Sequence, residues 1–584
     1  MPEYLSPGVY IEEIEIGAKP IEGVSTSTAG FLGEAERGPT IPQLVTSWLG
    51  YQRVFGSYFG ADKYLPYAVE GFFANGGQRC YIGRIVKAGT ATATTAGLKL
   101  TAEGNNALTV DAVGEGSWGN RVAVKVTSGT FGGFKLSVFY WKEAPTTLYD
   151  PETDLKTKPR PTATESFDNL SVTETSPDYY EKRVNGISNL IKLSQKAGDS
   201  GVMPEVGHSG TAQGGAATTI TLANTASSMD NAYNGMRIEI TSGTGSGQLR
   251  TITDYDGTNR LATVDSNWTT VPDNTSVYRL FWLTYLADGS DGTGTLVLSD
   301  YERTDTNTPG NRKGLTGFAE IDDISIVYAP NAQPVAGLVG ALITHCETLK
   351  DRFAIIDAAQ GSASVPALDP RSSNDTQYAA FYYPWIKVID PEAGLQRLIP
   401  PGGHIAGIYA RSDTERGVHK APANETPRGV VELEFQITKG EQDILNPRGV
   451  NVIRVFPGRG IRVWGARTLS TNTLWKYVNV RRLFLFLEES IDEGTQWVVF
   501  EPNDPKLWVR VRATVTEFLT RVWRDGALFG NTPEEAFFVK CDETTMTQDD
   551  INNGRLIILI GVAPVRPAEF VIFRIAQLTG SATE

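Results

Sequence analysis

The chain has 584 residues, of which 40% are hydrophobic and 21% are charged, and its formal net charge at pH 7 is −14. Its length and composition predict two to four globular domains, and its acidic balance argues against nucleic-acid binding, which requires clustered cations. The three cysteines are widely spaced, which predicts reduced thiols. All apolar runs are well below the roughly 20 residues of a membrane-spanning helix, so we expect a cytosolic chain without membrane insertion.

The first predicted element is an extended strand close to the N-terminus. MPEYLSPGVYIEEIEIGAKP has its first basic residue at Lys19 and apolar residues separated by glutamates, so it lacks the pattern of a secretory signal. Prolines at positions 2 and 7 disfavour a helix at the very start. The β-prone residues of this segment are Val9, Tyr10, Ile11, Ile14 and Ile16. A strand so early in the chain needs a partner sheet, and nothing local offers one.

Residues 26–90 have the pattern of the first part of a mixed α/β domain. AGFLGEAERGP predicts a short strand and a turn, helical spacing predicts a helix from Pro66 to Ala74, and RCYIGRIV predicts a second strand. The composition then changes near Ala88. Residues 91–300 are rich in Thr, Gly, Ser, Asn and Asp, with short β-type runs between turn residues, which predicts an inserted β-rich region. Two candidate modules within it cover about 91–205 and 206–300.

The α/β pattern resumes over residues 301–565. DDISIVYAP, RFAIIDAA, YAAFYYPWIKVID, GVVELEFQIT and VNVIRVFPGRGIRVWGART predict strands. QPVAGLVGALITHCETLKD, NVRRLFLFLEESIDEG and KLWVRVRATVTEFLTRVWRDGAL predict helices, while IPPGGHIAGIYARSD reads as a Pro/Gly-rich turn entering a strand. The sequence therefore predicts an α+β protein whose discontinuous mixed α/β parent domain (26–90 and 301–565) is interrupted by an insertion at a surface loop.

The C-terminus resembles the N-terminus in its pattern. A strand is predicted from Leu556 to Val562, then a break at Pro564 and Pro567, then a second strand from Glu569 to Gln577. Its apolar residues are Phe570, Val571, Ile572, Phe573 and Ile575. Residues 1–25 and 566–584 are thus predicted to be strand arms that stand away from the domain.

Signatures of catalysis and of cofactor binding are missing from the sequence. It contains four histidines and no GxSxG, HExxH or GxxxxGK[ST] motif. His404 and Asp413 are a weak candidate pair for a hydrolase, without a nucleophile signature beside them. DGTNR and DNTS lack the full calcium-loop pattern. We expect no enzyme activity, no cofactor and no metal.

One window of this acidic chain is strongly basic. Residues 444–487 hold eight basic side chains and no Asp or Glu: Arg448, Arg454, Arg459, Arg462, Arg467, Lys476, Arg481 and Arg482. These cations could pair with acids of the same chain, such as Glu488, Glu489 and Asp492, or form a surface for an acidic partner. Nucleic acid is a third, weaker interpretation, because the rest of the chain is acidic.

Several separated segments resemble one family. YLSPGVYIEEI, GLTGFAEIDDISIVYAPN, SSNDTQYAAFYYPWIKVIDP with RLIPPGGHIAGIYARSD, and GRLIILIGVAPVRPAEFVIFRIAQ occur in the order found in contractile tail sheath proteins of phages and related injection particles. The resemblance covers roughly residues 1–90 and 300–580.

The resemblance implies a structural, non-enzymatic subunit that forms hexameric rings stacked as a helical sleeve around an inner tail tube protein. It also implies baseplate and tail-end proteins as partners, and contraction that drives the tube through a target envelope. The arms would be strands lent to neighbouring copies, and the basic window would face the tube. Assembly would take place in the bacterial cytoplasm, and the product would be the tail of a phage virion or a phage-like particle. The alternative is a carbohydrate-binding or adhesin-like structural protein, suggested by the β-modules and their aromatic residues.

Overall fold

The computed structural model describes residues 20–89, 92–102, 105–154, 159–306 and 308–574. The buried apolar side chains of these residues form separate clusters, one in a main α/β unit, two in the inserted region and one in a C-terminal unit. Its cysteines, Cys80, Cys346 and Cys541, are buried and unpaired. Within the described ranges, no helix is long and apolar enough to cross a bilayer.

The first segment of the main unit precedes the insertion. Ser47 caps the first helix by accepting a hydrogen bond from the Gly50 amide, and a proline occupies the first turn of the second helix. The elements confirm the predicted strand, helix and strand: β1 (Ala29–Gly33), β2 (Gln43–Val45), α1 (Trp48–Phe55), α2 (Leu65–Ala74) and β3 (Cys80–Arg84).

The inserted region is almost entirely β-structure, as its Thr- and Gly-rich runs predict. Its elements are β4 (Gly97–Ala102), β5 (Asn105–Ala112), β6 (Val122–Ser128), β7 (Phe134–Tyr140), β8 (Ala163–Leu170), α3 (Tyr180–Val184), β9 (Ile191–Ser194), β10 (Ser209–Thr211), β11 (Gly214–Ala216), β12 (Thr219–Thr221), β13 (Arg237–Ser242), β14 (Leu249–Asp256), β15 (Leu261–Val264) and β16 (Val277–Tyr285).

The two candidate modules of the insertion share one sheet rather than forming separate bodies. Strand β16 pairs antiparallel with β6, which continues the order β11-β12-β15-β14-β13-β16-β6-β7-β8 across both halves. A smaller sheet has the order β4-β5-β9. The entry and exit of the insertion are also paired, because Thr94 and Ser290 exchange backbone hydrogen bonds of 2.8 and 3.1 Å, and Gly97 and Ala287 exchange bonds of 2.8 and 3.0 Å.

The second segment of the main unit follows the insertion. Its elements are α4 (Leu298–Glu302), α5 (Gly314–Phe318), β17 (Ile326–Tyr328), α6 (Leu338–Leu349), β18 (Phe353–Asp357), β19 (Ala379–Tyr383), β20 (Ile386–Ile389), β21 (Gln396–Ile399), α7 (Gly402–Arg416), β22 (Val430–Leu433), α8 (Lys439–Leu445), β23 (Val450–Phe456) and β24 (Gly460–Val463).

Both segments build the same sheet, in the order β2-β3-β1-β17-β18-β19-β23-β24. The inner strands from β3 to β23 run parallel, and the edge strands β2 and β24 run antiparallel to their neighbours. Because parallel strands are buried on both faces, their sequences are continuous apolar runs such as FAIID. Strands β21, β20 and β22 form a separate small sheet.

Helix α7 corrects one prediction, since the segment IPPGGHIAGIYARSD is helical rather than a turn entering a strand. The glycines that suggested a turn serve close packing against α2. A Cβ at Gly403 would lie 2.4 Å from the Ala68 Cα, and a Cβ at Gly407 would lie 2.5 Å from the Phe72 carbonyl oxygen. The absent side chains allow the two helices to approach at backbone distance.

A C-terminal unit with its own core follows, where the sequence predicts one continuous domain to residue 565. Its elements are α9 (Val478–Thr495), α10 (Pro505–Arg524), α11 (Pro533–Ala536), β25 (Phe537–Lys540), α12 (Gln548–Asn552) and β26 (Leu559–Val562). The apolar faces of α9 and α10 pack together with β25, β26 and Ile21. Short 3₁₀ turns lie at Ser117–Arg121, Val365–Ala367, Pro370–Ser372, Asn446–Arg448, Thr473–Trp475 and Gln496–Val498.

Candidate functional site

The C-terminal arm is anchored at Glu569. Arg467 Nε donates to its Oε1 atom at 2.6 Å, and Lys476 Nζ lies 3.1 Å from its Oε2 atom. Asn446 and Tyr477 add hydrogen bonds of 3.0 and 2.8 Å. Burial alone would raise the pKa of this carboxyl, but the donors from Arg467, Asn446 and Tyr477 outweigh burial and lower the pKa to about 2. The root of the arm is therefore held by a fixed negative charge.

Beyond Glu569 the chain presents apolar side chains to solvent. The exposed fractions of Phe570, Val571, Ile572 and Phe573 lie between 68% and 83%, and residues 566–574 form no strand within their own chain. Ile575 lies outside the described residues. An exposed apolar run of this kind is uncommon in a folded monomer and marks an interaction segment. The predicted strand from Glu569 to Gln577 stays a prediction.

The first described residues of the chain lie against the C-terminal unit. Residues 21–26, which we call the strap, lie along α9, and the Ile21 side chain is fully buried in the core of that unit. The predicted arm residues Val9, Tyr10, Ile11, Ile14 and Ile16 lie outside the described residues. The first described residues thus lie on the C-terminal unit, whereas Glu569 is held at the junction of the two units, by Arg467 and Asn446 on one side and Tyr477 on the other.

The same unit carries a small sheet with open edges. Strands β25 and β26 pair antiparallel, from Phe537 opposite Val562 to Lys540 opposite Leu559, and they pair with no other strand of the described chain. Phe538 and Leu559 are each about half exposed. A two-stranded sheet is marginal on its own, and each free edge offers unpaired amides and carbonyls to an added strand.

The basic window does not form one surface. Arg467, Arg481 and Arg482 are buried and pair with Glu569, Glu488 and Asp413 of the same chain. Burial of an arginine requires such a partner, so for these three residues the structure corrects the prediction of a surface patch. Two of the three acids, Asp413 and Glu569, are far from their arginines in sequence, so no local pattern predicts these pairs.

The remaining cations of the window are divided between internal contacts and solvent. Arg448 and Arg454 donate to backbone carbonyls of Pro366 and Ile437, and Lys476 faces Glu569. At the β23–β24 hairpin, Arg459 and Arg462 hydrogen-bond to Asn424 and have no acidic partner in the part of the chain that the structure describes. Arg459 is exposed and Arg462 is half-buried, so these two residues are what remains of the predicted basic surface.

Helix α10 presents a second cationic surface that sequence analysis missed. Its exposed basic residues are Lys506, Arg510, Arg512, Arg521 and Arg524, against the single exposed acid Glu517 of that helix. The sequence carried a signal for this surface, because the helix was predicted and it has many more basic than acidic residues. The prediction of a basic surface was limited to residues 444–487, which contain no acid.

The weak hydrolase candidate is not assembled as an acid–base pair. His404 is buried against Gly71, and burial lowers its pKa to about 4. The Asp413 carboxylate accepts hydrogen bonds from Arg482 and Thr26 instead. Among the described residues, no group of three or more His, Cys, Asp or Glu side chains is placed to hold a metal ion.

Comparisons with known proteins identify the class. The family model for the phage tail sheath protein central domain matches residues 318–469, and that for the phage tail sheath C-terminal domain matches residues 470–577. The boundary between the two family domains falls between the main unit and the C-terminal unit.

Curated relatives and solved structures agree. The tail sheath protein of Vibrio phage KVP40 is 26% identical over 37% of this chain and 31% of that protein. The tail sheath protein of Burkholderia phage BcepMu is 28% identical over 35% of this chain and 45% of that protein. The matches thus span less than half the length of either relative. The contracted helical sheath of the anti-feeding prophage has the same fold, with a TM-score of 0.52 and 22% identity over 98% of this chain and 99% of that chain.

These relatives define the class of protein as a sheath subunit of contractile tails and injection systems. Within that class, residues 318–577 of the chain match the central and C-terminal domains of the phage tail sheath family. Sheath proteins are structural proteins, and none of these relatives supports the carbohydrate-binding alternative.

Proposed function

We propose that this chain polymerises into a helical sleeve of stacked hexameric rings around an inner tube and contracts to drive that tube through a target envelope. The observation that carries the proposal is the contrast at the C-terminal end. Glu569 is held by several donors of its own chain, while the apolar residues directly after it are exposed and unpaired. Such a segment is suited to bind another copy.

The open edges of the β25–β26 sheet are the proposed acceptor for the arms of neighbouring copies. Each added backbone hydrogen bond contributes about 0.5–1.5 kcal/mol, and burial of exposed apolar side chains adds about 25 cal/mol per Å². The cost of ordering the arm reduces this gain. Because the donor segment and the acceptor edge are different parts of the subunit, each copy can donate to one neighbour and accept from another, and such head-to-tail contacts form rings or open helices.

We propose that assembly around the tube traps a stretched lattice of higher free energy. Contraction then lowers the free energy of the lattice. No nucleotide hydrolysis by this chain is required in this scheme, in keeping with the absence of a phosphate-binding loop in the sequence. The proposed partners are other copies of this chain, the tube protein, and baseplate and tail-end proteins. We propose assembly in the bacterial cytoplasm and a final place in a phage tail or a phage-like injection particle.

Introducing charge into the C-terminal arm is expected to abolish polymerisation. The double variant Val571→Asp, Phe573→Asp replaces two exposed apolar side chains, so the fold of the subunit should persist while burial against a neighbour is lost. Negative-stain electron microscopy should show hollow striated cylinders for the parent protein and dispersed particles for the variant, at least a tenfold loss of polymer.

Phe131 provides the matched control for this experiment. It is 93% exposed at the β6–β7 hairpin of the inserted region, so Phe131→Asp makes the same change outside the arm and should polymerise normally. Normal cylinders from the arm variant would contradict the proposed strand exchange.

Charge reversal at the β23–β24 hairpin tests the proposed contact with the tube. Arg459→Glu with Arg462→Glu is expected to reduce co-assembly with the tube by at least tenfold, because both cations lack acidic partners among the described residues and are available to an acidic surface. Arg183→Glu, in the inserted region, is the control and should leave co-assembly unchanged. Co-sedimentation with preformed tubes measures the effect.

A second charge-reversal variant, in helix α10, extends this test. If the hairpin variant co-assembles normally while Lys506→Glu with Arg512→Glu does not, the tube-facing surface is α10 and the prediction drawn from the basic window is wrong. Normal co-assembly of both variants would remove the electrostatic tube contact from the proposal.

A further inference from the structure

Lys125 is a buried lysine in the middle of strand β6 of the inserted region. Its neighbours Val124 and Val126 face the larger core of that region. Because side chains alternate along a strand, Lys125 points to the opposite face of the sheet. Only 6% of its side chain is exposed. Lysine is rarely buried without a partner, so the groups that surround Nζ determine the chemistry of this residue.

Two carboxylates contact this one ammonium group. Lys125 Nζ donates to Asp150 Oδ2 at 2.8 Å and to Glu152 Oε2 at 2.6 Å. The Asp150 side chain is 5% exposed. It is held from its other side as well, because the Glu152 amide donates to Asp150 Oδ1 at 3.1 Å. The amine of one residue and the carboxyl group of the other are therefore fixed in contact.

The surroundings of this pair are apolar. The side chains on this face of the sheet form a separate small core: Ala123, Phe139, Trp141, Tyr149, Phe281 and Leu283. Lys125 Nζ lies 5.6 Å from the centre of the Phe281 ring. Burial disfavours charged groups, so it narrows the free-energy gap between the ion pair and the neutral amine with a neutral acid. The neutral amine, which is the nucleophilic form, is reached by proton transfer within the cluster.

Glu152 is placed to move protons. Its Oε1 atom accepts a hydrogen bond from Ser137 at 2.7 Å, while its Oε2 atom contacts Lys125. Burial alone would raise the pKa of this carboxyl, but the donors from Lys125 and Ser137 outweigh burial and lower the pKa. The side chain is thus a carboxylate that can accept a proton. It also borders a cleft lined by Tyr149 and Pro151, through which a water molecule can leave.

We propose that Lys125 and Asp150 condense to an isopeptide bond in the folded subunit, with Glu152 as the proton shuttle. The lone pair of Nζ forms the new bond to Asp150 Cγ, and the bond from Cγ to Oδ2 breaks with its electron pair on oxygen. Nζ starts with three protons. One passes directly to Oδ2, a second reaches Oδ2 through Glu152, and the third stays on the amide nitrogen. Oδ2 leaves as water and Glu152 returns to its starting state, so no other reactant is needed.

The placement of the groups favours this reaction. Groups held in contact react at effective concentrations of about 10⁵ M or more, and the Glu152 amide donates to Oδ1, where negative charge develops as Cγ becomes tetrahedral. The bond joins residues 25 positions apart and ties β6 to the loop that follows β7. All the groups belong to one subunit, so the inference is independent of sheath assembly.

The pair of Lys87 and Asp300 shows what the cluster at Lys125 adds. Lys87 Nζ lies 3.0 Å from Asp300 Oδ2, and the Asp300 side chain is 1% exposed. Here, however, Nζ also donates to the Thr295 carbonyl, in the place that a second carboxylate takes at Lys125. A carbonyl oxygen cannot carry the second proton, so this pair should remain an ion pair. Each subunit should therefore lose a single water.

Intact-mass spectrometry of the purified full-length protein, denatured before measurement, tests the cross-link. The parent protein should be lighter than its sequence by one water, about 18 Da, and a tryptic digest should contain a branched peptide that joins Lys125 to Asp150. Lys125→Arg and Asp150→Ala should each have the full mass of their sequences. Glu152→Gln should reduce the cross-linked fraction shortly after synthesis by at least tenfold.

Glu239→Gln is the control for the loss of a carboxylate. Glu239 lies on the same face of the sheet and pairs with Arg279 at 2.6 Å, so this variant should cross-link as fully as the parent. A parent protein of unmodified mass would overturn the proposal, as would a lost water that maps to residues other than Lys125 and Asp150. Because the mass of the parent decides, the result does not depend on whether the variants fold. Cross-linking of Glu152→Gln at the parent rate would overturn the assigned shuttle.

Discussion

Replacing Asp413 with alanine is expected to lower the free energy of unfolding by about 3–5 kcal/mol, because it strands a buried arginine. Arg482 and Asp413 form a bidentate ion pair, with guanidinium nitrogen to carboxylate oxygen distances of 2.6 and 2.9 Å. Their side chains are 3% and 5% exposed. The pair joins α9 of the C-terminal unit to α7 of the main unit, and Thr26 of the strap bonds to both partners. Urea denaturation of the free subunit measures the loss.

The control for this prediction is an ion pair of similar length at the surface. Lys387 and Glu432 are 2.9 Å apart with side chains 31% and 49% exposed, so Glu432→Ala should cost less than about 1 kcal/mol. Equal, small losses for the two variants would show that the Asp413 pair does not hold the units together.

The second large effect concerns the buried carboxyl of Asp357, at the end of β18. Burial raises its pKa from 3.8 to about 7, only partly countered by the Tyr328 hydroxyl, which donates to it at 2.5 Å. The folded protein therefore retains a proton that the unfolded chain has released, and stability falls as the pH rises from about 4 to about 7. An uncharged side chain at this position removes that loss.

Asp357→Asn should accordingly become more stable relative to the parent protein as the pH rises. The difference in unfolding free energy between the two proteins should grow by roughly 2–3 kcal/mol from pH 5 to pH 8. Asp178→Asn, at an exposed ion pair, is the control and should follow the parent. Parallel curves for Asp357→Asn and the parent would contradict the assigned protonation.

The main sheet was predictable because its strands carry their signal locally. AGFLG and FAIID are short apolar runs bounded by turns, and they form β1 and β18. The long amphipathic patterns of α9 and α10 were equally clear. The change of composition near Ala88 marked the insertion, but composition could not reveal that β16 and β6 pair across the two halves of that region.

The corrections at α7, Arg467 and Arg482 have a common physical cause, since each depends on a partner distant in sequence. The glycines of α7 have the pattern of a turn until α2 is seen packed against them. The arginines at positions 467 and 482 look like surface charge until Glu569 and Asp413 are placed beside them. For the candidate site, the sequence indicated the apolar residues after Glu569. The contacts that hold Glu569 itself could be found only from the structure.

The backbone pairing between Thr94 and Ser290 and between Gly97 and Ala287 has a consequence for how this protein can change. The polypeptide enters and leaves the inserted region as two neighbouring segments joined by these backbone hydrogen bonds. A foreign domain with neighbouring termini would fit the same stem once the buried contacts of the insertion with the main unit, Tyr140 with Glu36 and Arg84 with Glu115, are replaced. Evolution or an engineer could therefore exchange the inserted region, for example for an enzyme or an affinity tag, provided that these contacts are redesigned with it.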